Sequence, residues 1–244
     1  MSGQGQLYVG YLPMPPRVRT FVRVVAPVIL WGLFAISAVC AWHLRDVGDA
    51  VWESATSTWT GTVVIEPYPM LITTDDSGET VAMPVVSDIK FGEHERLGPH
   101  DGTVVELTGW RLARERREMI SLVPDDTAIR PLGGVPSMPE RSVVGEVAIV
   151  GELVDGKCYL GAMKPGDGKA HKACAIQCIE SGLPMMLAPV DTSQPLVLVT
   201  GWRDQPIWEA QIRDLVAQPV VVRGAMSEIA GLGILEIASV EPAR

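Results

Sequence analysis

Residues 24–42, VVAPVILWGLFAISAVCAW, run for nineteen positions without a charge. A helix needs about 20 such residues to cross the hydrocarbon core of a bilayer. This run therefore decides where the rest of the chain can be. Trp31 lies within it and Trp42 at its far end, where an indole suits the membrane interface. Pro27 is expected in the first turns, where a missing N–H costs least. Arg17, Arg19 and Arg23 stand on the N-terminal side, so the positive-inside rule predicts a cytoplasmic N-terminus. The expectation is a single-pass inner-membrane protein: a tail at 1–19, a transmembrane helix at 20–43 and a linker at 44–58. A cleaved signal peptide is the competing reading. Against it, the run is long for a signal core and no A-x-A site follows. SAVC (37–40) resembles a lipoprotein box, but Val39 is too bulky before the cysteine. Cys40 then reads as an apolar membrane residue.

Charge divides the chain at the same place. Residues 1–45 hold four arginines and no acid, whereas residues 46–244 hold 16 basic and 29 acidic side chains. An acidic body opposes nucleic acid, because phosphate contacts need clustered Lys and Arg. It leaves the membrane and a protein partner in a periplasmic or membrane complex as expected contacts.

Glycine (24) and proline (19) are abundant, which suits short strands and many turns. From Trp59 the pattern is of short β-type runs: Thr62–Ile65, Val81–Val86, Thr103–Thr108 and Met119–Val123. RLARERRE (111–118) reads as a charged hairpin tip. RPLGGVPSMPERS (130–142) is proline-rich and without pattern, and marks a boundary. A second β-rich unit opens with VVGEVAIVGELVD (143–155) and continues at Leu196–Thr200. Asp204 is placed to cap a helix reaching about Ala217, with Trp208, Ile212 and Leu215 on one face. Val220–Arg223 and Ile234–Val240 read as a closing hairpin.

The two units resemble each other. TVVELTG (103–109) matches QPVVVRG (218–224) in pattern at an offset of 115, and MISLV (119–123) falls on ILEIA (234–238) at the same offset. Upstream, GTVVI (61–65) matches GELVD (151–155) at an offset of 90. The extra 25 residues imply an insertion after the opening strand of the second unit. TGWR at 108–111 and 200–203 has a conflicting offset of 92. The 115 register is preferred because a second strand follows it in step. Strands first, then a helix, then a final hairpin resembles the topology of an OB-type barrel. The fold class expected is mainly β, with two tandem small OB-like barrels after one transmembrane helix. The barrels span 59–129 and 143–244, joined by 130–142, with the insertion at 156–190.

That insertion concentrates the chemistry. KCYLGAMKPGDGKAHKACAIQCIESGLPMM (157–186) holds Cys158, Cys174 and Cys178, three of four cysteines, and His171. It also holds Lys157, Lys164, Lys169 and Lys172, four of only five lysines. A helix is predicted between Gly168 and Gly182, with Pro184 beyond its end. At about 100° per residue, His171, Cys174 and Cys178 fall within about 60° of each other. Cys158 must approach that stripe from the chain upstream.

Three chemistries fit. Cys158 can form a disulfide with Cys174 or Cys178, leaving one thiol over. Cys174 and Cys178 are disfavoured as a pair, since Cβ atoms on adjacent helical turns are about 5–6 Å apart. Alternatively Cys158, His171, Cys174 and Cys178 together bind a metal. Cys3His suits Zn, and thiolates also suit Cu(I). The third is thiol–disulfide exchange, although no CxxC is present. The lysines Lys157, Lys164, Lys169 and Lys172 form a candidate docking patch for an acidic partner. PGDGKA is not a phosphate loop: Met163 stands where the first glycine is needed and Ala170 where Ser or Thr is. No catalytic constellation is recognised. The expected function is a membrane-anchored accessory or binding subunit in a redox or metalloenzyme system. The alternatives are a disulfide-stapled interaction protein and a thiol oxidoreductase.

Overall fold

A computed structural model describes residues 13–43, 49–203, 205 and 207–243. The start of the leader, part of the linker (44–48) and the expected cap Asp204 lie outside the described residues. The chain divides into two compact units, residues 1–47 and 48–244.

The first unit is a single helix, α1 (Pro16–His43). Its Pro16–Trp42 stretch is long and apolar enough to cross a membrane, with mean hydropathy 2.3 in its most apolar window and none of it buried. Phe21, Trp31 and Phe34 are among its exposed apolar side chains. The helix starts four residues before the expected position 20. Pro27 is therefore interior, not in the first turns, and it removes one i→i−4 hydrogen bond.

The second unit holds two barrels. In the first, β1 (Val51–Val64), β2 (Met70–Thr74), β3 (Thr80–Ser87), β4 (Val104–Arg114) and β5 (Arg117–Leu122) pair in the order β1-β2-β3-β5-β4, and β4 pairs back onto β1. A short strand, β6 (Ile129–Pro131), adds to β4. Neighbours are antiparallel except β3 and β5, which run parallel. The helical turn α2 (His94–Leu97) lies between β3 and β4. The second barrel repeats this plan. Strands β7 (Ser142–Asp155), β8 (Met185–Pro189), β9 (Val197–Thr200), β10 (Pro219–Ile229) and β11 (Leu232–Pro242) close in the order β7-β8-β9-β11-β10. Here β9 and β11 are the parallel pair.

Strand pairing fixes the repeat residue by residue. Gly61 faces Val105 and Gly151 faces Val220, which reproduces the offsets of 90 and 115. Gly109 faces Leu122 and Gly224 faces Ile237, again 115 apart. A Cβ at Gly109 would run into the carbonyl of Ser121, and one at Gly224 into that of Glu236. Both glycines thus hold the same close backbone approach. The TGWR coincidence dissolves, because Thr108 lies within β4 whereas Thr200 ends β9.

Four expectations change. Residues 51–58, read as linker, belong to β1. The insertion ends at 184, since 185–189 form β8. Neither β2 nor β8 was expected as a strand. The helix expected up to Ala217 is broken into a wide turn at Trp208–Ile212 and a tight one at Arg213–Leu215. Trp208 and Ile212 are buried while Leu215 is only half-buried.

Val63, Leu71, Val85, Val105, Leu107, Ile120 and Leu122 fill the first barrel. Leu153, Leu187, Val199, Val220, Val222 and Leu235 fill the second, with Trp208 and Ile212. A third cluster runs across both. It joins Tyr68, Met70, Leu112 and Met119 to Val154, Leu160, Met186 and Leu232, and it includes Cys158 and Cys178. Each such side chain contributes about 1.5–3 kcal/mol of burial. The cysteine insertion is therefore seated in the apolar joint between the barrels.

Candidate metal centre

Two pieces of chain build the site. β7 ends at Asp155, whose Oδ1 accepts the backbone N–H of Lys157 at 3.0 Å. This turn carries Cys158 into a one-turn helix at Cys158–Ala162. The chain then returns as helix α3 (Gly168–Glu180). Glu152 of β7 accepts the N–H of Gly168 at 2.5 Å, covering one of the donors exposed at the helix start. The helix stops in a Schellman motif. Leu183 N donates to Cys178 O at 3.0 Å and Gly182 N to Ile179 O at 3.1 Å, with Gly182 at φ +100°. The turn thereby fixes the last ligand-bearing residue of α3.

The predicted stripe forms and Cys158 reaches it. One ligand atom each of Cys158, His171 and Cys174 lies within 4.8 Å of the others. Asp155, Cys158 and Cys178 make a second set with the same property, and Cys158 belongs to both. Cys174 and Cys178 sulfurs are 4.0 Å apart. Sulfurs sharing a tetrahedral zinc ion at about 2.3 Å are spaced by about 3.8 Å. A disulfide needs about 2.05 Å, and all four cysteines are free. In this structure the cysteines do not stand at disulfide distance, neither Cys174 with Cys178 nor Cys158 with either.

Burial sets the electrostatics. Cys158, Cys178, His171 and Asp155 are buried, and Cys174 is half-buried. Cys158 and Cys178 share a hydrogen bond. It holds the Cys158 thiol well above its usual range, with burial and Asp155 acting in the same direction. The same bond draws Cys178 down against its burial. Burial lowers His171, so the imidazole is held neutral, the form that ligates metal. Its Nε2 has no hydrogen-bond partner among the described residues. An unpartnered buried nitrogen costs about 1–3 kcal/mol, unless it has another use.

Lys157 departs from expectation. It is buried, and its Nζ donates to Ser87 O at 2.6 Å and Ile89 O at 2.9 Å. Its ammonium also lies 5.1 Å from the Trp52 ring centre. It therefore ties the insertion to the first barrel and is no part of a solvated docking patch. Lys164 and Lys169 are exposed, and Lys172 donates to Asp214 O at 2.6 Å. The fifth lysine, Lys90, is the one that matters to the thiols. Its Nζ lies 3.3 Å from Cys174 Sγ, a hydrogen bond that raises its pKa. Lys90 and Asp155 were missed in the sequence. Asp155 stands three residues before Cys158, and Lys90 is the only lysine outside the insertion.

A surface depression of about 820 Å³ beside Trp59, Arg111 and Asp75 is lined by no cysteine or histidine. It is a separate feature from the thiol cluster.

No family model and no curated protein matches the chain. One solved structure, a deletion mutant of the single-stranded DNA-binding protein from Thermus aquaticus, aligns with 80% of this chain and 95% of that one. The identity is 14% and the TM-score 0.25.

Proposed function

We propose that this chain is a membrane-anchored accessory or binding subunit whose insertion holds one transition-metal ion, Zn(II) or Cu(I), for a redox or metalloenzyme system. Cys158, His171, Cys174 and Cys178 would be its ligands. One observation carries this reading. Cys158, His171 and Cys174 bring donor atoms from two chain segments within 4.8 Å of one another, Cys178 Sγ lies 4.0 Å from Cys174 Sγ, and the buried His171 Nε2 has no partner among the described residues.

The bound ion would supply cross-linking and, for copper, a redox centre. The protein's part is to present the donors, hold His171 neutral and exclude water through the apolar joint. Arg17, Arg19 and Arg23, at the N-terminal end of α1 ahead of its apolar run, favour a cytoplasmic N-terminus and barrels on the outer side of the membrane. The exposed Lys164 and Lys169 remain candidates for contact with an acidic partner.

Titration of the full chain in detergent with Co(II) tests the metal reading. The wild type is expected to give one equivalent of a thiolate-bound, tetrahedral spectrum. Cys174→Ser and His171→Ala are expected to weaken binding by at least about tenfold, as lost ligands do. A wild type that shows no thiolate-to-metal absorption with Co(II) and takes up no Cu(I) would end this reading.

A further inference from the structure

The four-ligand set leaves one carboxyl oxygen of Asp155 without a role. Its side chain is fully buried, at 0% exposure. One carboxyl oxygen, Oδ1, holds the turn through the N–H of Lys157. The other, Oδ2, has no partner among the described residues beyond the weakly donating thiols against it. The carboxyl thus faces the sulfurs of Cys158 and Cys178, within 4.8 Å of both. If Asp155 served the turn alone, asparagine would do so without a buried carboxyl. A buried carboxyl with one oxygen lacking a strong donor is costly where it stands.

We propose that Asp155 determines the ion: its carboxylate, beside Cys158 and Cys178, offers a fifth and hard donor that zinc accepts by expanding its coordination, and it thereby selects a divalent ion of the Zn(II) class over Cu(I). The inference rests on the metal reading above. Oxygen is a hard donor and thiolate a soft one, so a carboxylate adds bonding to Zn(II) and little to Cu(I). Charge acts in the same direction. Three thiolates and the carboxylate carry four negative charges, so the net charge left in the site is -2 around a dication and -3 around a monovalent ion. At equal distance in a poorly screened interior, the carboxylate is attracted twice as strongly by a dication as by a monovalent ion. Lys90, beside Cys174 on the outer side, offsets a thiolate for either ion and does not discriminate.

Asp155→Asn separates the roles, because asparagine keeps the oxygen that accepts from Lys157 and removes only the anionic donor. The metal-free, reduced full chain in detergent is titrated with Zn(II) and, separately, with Cu(I), each against a chromophoric chelator. The variant is expected to lose about tenfold or more in Zn(II) affinity, with its Cu(I) affinity unchanged. Equal loss for both ions makes Asp155 a framework residue and overturns the proposal, as does no loss for either. A wild type that binds neither ion refutes the metal reading itself, a result distinct from either of those.

Discussion

At the scale of single residues, the chain tolerates buried charge where the charge has a task. Lys157 shows this: burial lowers its pKa, yet two carbonyls and an indole face receive its ammonium. Glu93 is a second case. Its side chain is 2% exposed and is paired with Arg96 at 3.0 Å. Burial nonetheless raises its pKa, outweighing the attraction of Arg96. A carboxyl whose folded pKa lies above its unfolded value binds protons more tightly when folded. Its contribution is then most favourable below the unfolded value and is lost as pH rises through the folded one. Glu93→Gln is therefore expected to equal or exceed the wild type in thermal stability at pH 7, with the difference shrinking toward pH 4 in paired melts. A variant that is less stable at pH 7 and recovers in acid would contradict this. The residue types in the site were legible in the sequence, since three cysteines and a histidine in thirty residues stand out. Lys90 and Asp155 were not, because nothing local says that the loop after β3 folds over α3, or that the end of β7 turns its carboxyl inward.

At the scale of elements, the insertion is held by the first barrel through Arg114. Its Cζ stacks 3.9 Å from the centre of the Tyr159 ring, and Nη1 reaches Asp167 Oδ2 at 3.1 Å. The side chain is 13% exposed. Arg111, on the same strand, bridges Glu53 and Glu118 at the surface with 37% exposure. Arg114→Ala is expected to lower unfolding stability by about 2 kcal/mol, the size of a desolvated cation–π contact. Arg111→Ala should cost no more than about 1 kcal/mol, as exposed pairs do. Denaturant melts of the two variants check the order, and equal losses would refute it. Strand signals were legible where residues alternated or repeated. MLITT (70–74) and MMLAP (185–189) escaped because nearly every residue of both is buried, which erases the period-two pattern. Val51–Thr58 escaped for the opposite reason: its side chains are largely exposed and it reads as a polar linker.

At the scale of the whole body, 48–244, the design is a duplicated barrel with one asymmetric addition. Residues 65–69 join β1 to β2, whereas residues 156–184 join β7 to β8, and all the candidate ligands lie in or beside the longer connection. The offsets of 90 and 115 make this duplication legible in the sequence, because equivalent strands share equivalent neighbours. The shared core across the barrels was not legible, since the apolar residues that form it are indistinguishable in sequence from those inside each barrel. That joint keeps water from Cys158 and Cys178 and fixes the spacing of the thiols. The most direct test of the metal reading is the metal and thiol content of full-length chain purified from cells without chelator or reductant. One tightly held zinc per chain is predicted, with no disulfide among Cys158, Cys174 and Cys178. Metal-free protein with one of those disulfides formed would contradict it.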